Sequence, residues 1–292
     1  MDERQLRILR ELGALGSVRA VANTLGITPS AVSQQLKLLQ RPIPVPLTRR
    51  HGRTLRLTEA GERLAAAGAD VQAALARARE VARDLSRSPG GTVTVSAFNS
   101  AAVAFFPSLA HASPGAAPVR VALSDEDVAQ SEFPQLTAAY DVVLAHRLPH
   151  TPAWPATVTV VPLLNEPLDL ALPANHPLAG RDSVDALQVA AEPWITTHAG
   201  FPVGALLDTV AAVSGRPVEV RHRVNEFTVA AELVRAGAGL ALIPRWTSLR
   251  PAGVVLRPLT GVRVARRVDA LIRPERTVRP AAREVLAPIT SR

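Results

Sequence analysis

The stretch Thr28 to Leu39, TPSAVSQQLKLL, limits the fold of this chain more than any other. Thr28 is a side-chain N-cap followed by Pro29 at the first helical position, where the missing N–H would be unpaired in any case. Val32, Leu36 and Leu39 recur at the spacing of one buried helical stripe. Ser30, Ser33, Gln34 and Lys37 fall on the other faces, with short or amide side chains suited to phosphates and base edges. So short a helix with so polar a face needs a supporting neighbour. Ser17 caps one that runs to Leu25, with Val18, Val21, Ala22 and Leu25 apolar and Gly26 at the C′ position before Ile27. Two capped helices joined by a glycine and a tight turn make a helix-turn-helix, whose second helix enters the DNA major groove.

The segment SVRAVANTLGITPSAVSQQLKLLQ, followed by LTRRHGRTLRLTEAGERL, resembles the N-terminal domain of LysR-type transcriptional regulators. The resemblance is specific across residues 1–87 and continues more weakly to the end. It implies an α/β protein with an all-α, winged N-terminal domain: a winged helix-turn-helix, a long linker helix and a two-lobed, periplasmic-binding-protein-like effector domain.

The charge distribution agrees with a DNA-reading N-terminus. The net charge is +8; residues 1–91 carry 15 Lys and Arg against 8 Asp and Glu, and residues 92–292 carry 18 against 17. Phosphate contact requires such a basic excess. The absence of cysteine excludes disulfides and thiolate metal sites and fits the cytoplasm. No apolar run approaches the roughly 20 residues that span a bilayer, and MDERQLR reads as neither a signal nor a transit peptide.

Leu6, Leu9 and Leu12, with Ile8, predict a first helix packed behind the other two. After the recognition helix, Pro42, Pro44 and Pro46 forbid further helix, and alternating Leu55 and Leu57 predict a short strand, the wing. Arg41, Arg49, Arg50, Arg53 and Arg56 crowd here with His51 and no acidic residue, either a solvated face or a phosphate and minor-groove contact. The candidate DNA-binding residues are Ser17, Thr28, Pro29, Ser30, Ser33, Gln34, Lys37, Arg49, Arg50 and Arg53. Against the LysR pattern, a glycine near Pro44, a phenylalanine near Thr48 and an acid near Gln40 are missing.

From Thr58 to about Ser86 a long helix is predicted. Leu57, Leu64, Val71, Ala78 and Leu85 recur every seven residues, with Ala60, Ala67, Ala74 and Val81 three places after the first four, a coiled-coil seam between two copies. Gly61 and Gly68 would let two helices approach closely, and no strongly apolar second face is evident. The domains are thus 1–57 for DNA binding, 58–88 for the dimerising linker and 89–292 for the effector domain, with SRSPGG, Ser86 to Gly91, at the boundary.

Beyond it, short apolar runs alternate with helical patterns: Val93–Ala97, a helix Ala101–Ala112, Val119–Leu123, a helix Val128–Ala139, and Asp141–Ala145. A second series follows: Leu168–Pro173, Trp194–Thr197, a helix Val203–Val213, Val218–Val224, a helix Thr228–Ala236, and Gly239–Pro244. Such alternation predicts parallel α/β sheets in two lobes. Lobe I takes about 92–163 and 268–292, lobe II about 164–267. VTVVPLLNEPLDLALP and VVLRPLTGVRVARRVDALIRP are the crossings between them.

Ligands of such lobes gather at strand ends over helix N-termini. Ser100, after the strand Val93–Ala97, is placed there, as effector contact or simple cap. Thr196, Thr197 and His198 end one strand of the second lobe, and Asn225, Glu226 and Phe227 follow another; Thr197 and Asn225 are the better candidates. His146, just after Asp141–Ala145, looks into the cleft or serves as a hydrogen-bonded wall residue. The effector-binding candidates are therefore Ser100, Thr197, Asn225 and His146. A site at a helix N-terminus in a chain with few aromatics suits a small polar carboxylate first; Glu226 and Asp125 to Asp127 argue the other way, for an amine, which leaves an amino acid as the alternative. The acidic trio otherwise reads as helix caps.

Pro149 keeps His146 and His150 off one helix face, so no zinc pair is expected. Gly237 and Gly239 lack the third glycine of a dinucleotide loop, and no nucleophile elbow, P-loop or H-E-x-x-H occurs. No catalytic residue, cofactor or metal is expected. The predicted partners are double-stranded DNA, a small-molecule effector and a second copy, with dimer or tetramer left open. An architectural DNA-binding protein with a ligand-free, oligomerising body is the alternative, and an enzyme with a fused DNA-binding domain a third reading.

Overall fold

In a computed structural model, residues 1–51, 54–85, 91–110, 119–249, 252–277 and 279–290 are described, with Glu80, Arg83, Asp84, Leu85 and Pro280 as backbone alone. Asp2 opens α1 (Glu3–Leu15) with a capping box: its carboxylate accepts from the Gln5 N–H at 2.8 Å, and Gln5 Oε1 accepts from the Asp2 N–H at 3.2 Å. Ser17 caps α2 (Val18–Leu25), which Gly26 ends at φ 64°, and Thr28 Oγ1 accepts from the Ala31 N–H at 3.2 Å to start α3 (Pro29–Gln40). Ile8, Leu9, Leu12, Val21, Val32 and Leu39 form the shared core.

The wing is a hairpin of two strands, β1 (Thr48–His51) and β2 (Thr54–Leu57), rather than one. Gln40 explains how the chain does without an acid at this point. Its amide nitrogen donates to the carbonyls of Ile43 and Val45 at 2.9 Å each, and its Oε1 accepts from the Leu47 N–H at 2.8 Å, so one side chain folds the proline-rich approach to the wing.

The long helix α4 (Glu59–Leu85) buries one face against its own chain, which corrects the expectation that it has no second apolar face. Ala65, Ala69, Gln72 and Ala73 are buried, and a Cβ on Gly61 would lie 2.0 Å from the Leu47 carbonyl oxygen and one on Gly68 3.1 Å from Leu6 Cβ. The close approach that small residues permit is therefore made within the same chain, by Gly61 to Leu47 before the wing and by Gly68 to Leu6 of α1. On the other face Val71, Leu75 and Val81 are 42, 37 and 61 % exposed.

The effector domain continues with β3 (Gly91–Ala97), α5 (Asn99–Ala110), β4 (Val119–Asp125), α6 (Phe133–Leu136) and β5 (Val142–Arg147). Next come β6 (Thr159–Pro173), β7 (Val184–Asp185), α7 (Ala186–Val189), β8 (Pro193–Thr196) and α8 (Pro202–Ser214). The chain closes with β9 (Glu219–Arg223), α9 (Phe227–Arg235), β10 (Leu240–Pro244), β11 (Val254–Arg257), β12 (Leu259–Thr260), β13 (Ala265–Ile272), α10 (Pro274–Thr277) and α11 (Pro280–Thr290). The expected helix over Val128–Ala139 shrinks to a 3₁₀ turn and α6, because Pro134 has no N–H to continue a helix through it.

Strand order β4-β3-β5-β13-β6 makes lobe I and β6-β10-β8-β9 makes lobe II. The first part of β6, Thr159–Pro167, pairs with β13, and Leu168 onward pairs with β10 and β11, so one strand threads both lobes. The sheets are mixed, not parallel throughout: β3 runs parallel to β4 and β5, but β13 is antiparallel to β5 and β6. Val93, Val95, Phe105, Leu144 and Val285 belong to the core of lobe I, and Leu170, Trp194, Leu206 and Leu242 to that of lobe II.

A buried ion network joins the DNA-reading domain to lobe I. Glu11 of α1 accepts from both terminal nitrogens of Arg273, which follows β13, and Arg10 donates to the two oxygens of Glu275 at 2.8 and 2.6 Å. Burial alone would raise the Glu11 carboxyl, but the hydrogen bonds and charge of Arg273, with Arg10 beside it, hold it below the usual carboxylate range.

Candidate DNA-binding face and effector cleft

A groove of about 1150 Å³ lies between α3 and the hairpin, and Ser33, Gln34, Lys37 and Arg50 share its lining. Gln34, Lys37, Arg49 and Arg50 are exposed, whereas Ser33 is half-buried and donates to the Pro29 carbonyl at 3.0 Å. Thr28, Pro29 and Ser30 lie exposed at the start of α3, with the Thr28 and Ser30 hydroxyls 2.9 Å apart. Ser17 is half-buried as the α2 cap, its Oγ accepting from the Ala20 N–H at 3.4 Å. Arg53 lies outside the described residues.

In lobe I, Ser100 stands in the first turn of α5 and is buried. Its Oγ accepts a hydrogen bond from Arg266 Nη2 at 2.8 Å. Arg266 and Glu166, both fully buried, are cross-strand partners on β13 and β6. Arg266 Nε donates to Glu166 at 3.0 Å and Nη2 to Thr247 Oγ1 at 2.8 Å, while Glu166 also accepts from the N–H groups of Trp246 and Thr247 at 2.8 and 2.7 Å. Arg266 also stacks against Phe98 of lobe I and Phe227 of lobe II, 4.9 and 5.6 Å from the ring centres. Burial lowers the Arg266 guanidinium pKa, against the opposing effect of Glu166, yet an arginine so paired remains a cation. Arg266 is thus a fully buried cation, held by Glu166 beside the first turn of α5.

His146 lies inside β5, not after it, because pairing with β13 runs on through Val268 opposite His146 and Arg267 opposite Arg147. Its ring is buried 4.4 Å from Phe98 and 5.4 Å from Phe133, and Nδ1 has no partner among the described residues, so it is a wall residue without the expected hydrogen bond there. Burial, then the charge of Arg266, drives its pKa well down, which leaves it neutral.

In lobe II, Thr197 is buried and its Oγ1 is unpartnered among the described residues. A Cβ on Gly204 in the first turn of α8 would lie 3.3 Å from that oxygen. Asn225 is committed at both ends: Oδ1 accepts from the His198 N–H at 3.1 Å and Nδ2 donates to Asp127 of lobe I at 2.9 Å. The acidic trio is therefore no set of helix caps. Asp127 instead bonds across the lobes to Asn225, and Glu126 accepts from the Tyr140 hydroxyl at 2.5 Å. Burial, then the neighbouring Asp127 and Asp125, pushes the Glu226 carboxyl pKa up.

The family models decide between this arrangement as a regulator and as an unrelated two-lobed body. Residues 3–62 match the helix-turn-helix model of bacterial regulatory proteins of the lysR family, and residues 86–291 match the LysR substrate-binding domain. The chain belongs to the LysR family of transcriptional regulators. Among curated relatives, a probable RuBisCO transcriptional regulator of a Synechocystis species is 25 % identical over 93 % of this chain and 81 % of its own length. The regulator MetR of Haemophilus influenzae is 28 % identical over 94 % of this chain and 89 % of its own. Among solved structures, a full-length OxyR variant from Pseudomonas aeruginosa aligns at TM-score 0.62 and 19 % identity, covering 99 % of this chain and 94 % of that one. CbnR in complex with its target DNA aligns at TM-score 0.53 and 19 % identity over 99 % of both chains, a likeness of fold.

Within this LysR-family fold, Ser100 and His146 meet around Arg266 and Phe98, and Thr197 and Asn225 line the opposite lobe. Arg266, Glu166 and Thr247 were not among the sequence candidates, and Asp127 figured only as one of the acidic trio. Of the first three only Arg266 left a trace in the sequence, as a charge between Val264 and Val268 on the inward side of an alternating strand. Among the described residues no cluster of three potential metal ligands occurs, and no helix is long and apolar enough to cross a membrane.

Proposed function

We propose that this regulator acts in the cytoplasm, without catalysis, as a homodimer joined along α4. It reads DNA with α3 and the wing, and responds to an amino acid held between its lobes. Gln34 and Lys37 reach base edges, with Ser33 beside them; Ser17, Thr28, Pro29 and Ser30 face the backbone at two helix starts; Arg49, Arg50 and Arg53 hold phosphates from the wing. The groove that gathers Ser33, Gln34, Lys37 and Arg50 supports this division of labour.

The observation that carries the effector reading is the pairing of opposite charges across one cleft. Arg266, a buried cation beside Ser100 and the α5 N-terminus, suits a carboxylate. Asp125, Asp127 and Glu226 crowd like charges that an ammonium group would relieve. Thr197 supplies an unsatisfied hydroxyl from the far lobe, Asn225 exchanges its Asp127 bond as the lobes adjust, and neutral His146 lines the wall with Phe98.

Selection of the full-length protein against a pool of random duplex DNA tests the dimer and DNA readings together. The expected product is an inverted repeat with half-sites one helical turn, or a multiple of it, apart. Enriched sequences without dyad symmetry would overturn the dimeric reading.

A further inference from the structure

We propose that the groove between the DNA-reading domain and lobe I is a second ligand site, built for a small phosphate-bearing anion. The groove, about 580 Å³, is lined by Arg7 of α1, Gln72 and Arg79 of α4, and Arg276 and Arg279 beyond β13. Such a volume suits a phosphorylated metabolite.

Its charges do not balance. The described lining residues comprise six arginines and four carboxylates. Glu11 and Glu275 are occupied by Arg273 and Arg10 in the buried network. Asp141 alone serves both Arg276, at 3.4 Å, and Arg279, at 2.9 Å. The Arg276 contact lacks hydrogen-bond geometry, leaving its buried Nη1 without a hydrogen-bond partner among the described residues. Arg7 and Arg79 are exposed and engage no carboxylate among those residues. Burial lowers the Arg276 guanidinium pKa, and nearby Arg273 and Arg279 reinforce this against Asp141.

Gln72 points independently to a ligand. Its side chain is 6 % exposed on the groove lining, and neither amide atom has a hydrogen-bond partner among the described residues. Native proteins seldom leave both ends of a buried amide unsatisfied. An oxyanion with a hydroxyl or protonated oxygen would satisfy both, accepting from Nε2 and donating to Oε1. Phosphate, carrying about −1.5 to −2 at pH 7, matches the excess charge and the arginine forks better than a single carboxylate. Because α1 and α4 form one wall and the segment after β13 the other, occupancy favours the docked arrangement of the two domains.

Calorimetry of the full-length, DNA-free protein against inorganic phosphate, pyrophosphate and glycerol phosphate, at constant ionic strength, tests the site. One anion per chain is expected, with affinity at least tenfold weaker in Arg276→Gln and in Arg79→Gln; the latter, at an exposed position, keeps the test valid if Arg276→Gln disturbs docking. The tightest of the three ligands separates free phosphate from a phosphomonoester as the natural source. The proposal is overturned by absence of saturable binding, or by affinity that survives both substitutions. It is equally overturned if binding persists in Arg79→Gln and is lost in Arg50→Ala or Ser100→Ala, which would put the anion on the DNA face or in the cleft.

Discussion

Arg273 Nη2 donates to Glu11 Oε2 at 2.8 Å, so the segment that leaves the effector cleft is paired with the first helix of the DNA-reading domain. Arg266 lies seven residues earlier in the same stretch, about 23 Å away along extended strand. One strand therefore reaches from the cleft to the domain junction. Glu11→Ala leaves Arg273 and Arg10 sharing only Glu275, and removal of one partner from a buried pair typically costs about 3–5 kcal/mol. Equilibrium denaturation should show that loss, and Arg273→Glu combined with Glu11→Arg should recover part of it. A loss below about 1 kcal/mol would remove the junction from the account.

Replacing Gln34 should change base preference at one operator position by about 1–3 kcal/mol, because an exposed amide beside the groove can form paired bonds to a base edge. Arg50→Ala should instead weaken all sequences alike and reduce the salt slope by about 1. Affinity measurements over several salt concentrations, on matched and mutated operators, distinguish the two outcomes.

Val71 is 42 % exposed on the face of α4 that turns away from α1. Val71→Asp should thus leave the fold of one chain intact while placing an uncompensated carboxylate in the seam between two. Sedimentation is expected to show dissociation and operator affinity to fall. An unchanged assembly with full affinity would move the interface elsewhere.

His146 gives a signed pH dependence. Its folded pKa is depressed, so below the ordinary imidazole value of about 6.5 the unfolded chain takes up a proton that the folded chain refuses. Stability is lost as pH falls through that value, by up to about 1.4 kcal/mol per pH unit until the folded pKa is reached. The raised pKa of Glu226 acts in the opposite sense nearer the carboxylate range. His146→Phe, which keeps a ring beside Phe98 and Phe133, should flatten the melting temperature between pH 6.5 and pH 5.5 by the measure of thermal unfolding.

What the sequence disclosed was governed by local chemistry. Ser17, Gly26, Thr28 and Pro29 mark helix ends through bonds three or four residues away, and the structure places α2 and α3 where they point. The heptad pattern on α4 was equally local, but its surroundings were not: Leu57, Ala60 and Leu64 at its start pack into the N-terminal core, and Ala65, Gly68 and Ala69 acquire meaning only when α1 lies against them. His146 was placed outside its strand because the pairing that extends β5 comes from β13, more than a hundred residues later. Arg266 and Glu166, a hundred residues apart, become neighbours through sheet register alone. Asp127 reads as a cap until the second lobe brings Asn225 to it.

The central claim is that a small amino acid bridges the two lobes from Ser100 and Arg266 to the acidic rim at Glu226. Calorimetry of the full-length protein against amino acids, simple carboxylates and neutral aromatics measures it directly, with Ser100→Ala and wild type side by side. One amino acid is expected to bind per chain, tighter than the carboxylate lacking its amine, and at least tenfold weaker in Ser100→Ala. Binding confined to neutral aromatics, or undiminished binding in Ser100→Ala, would contradict it.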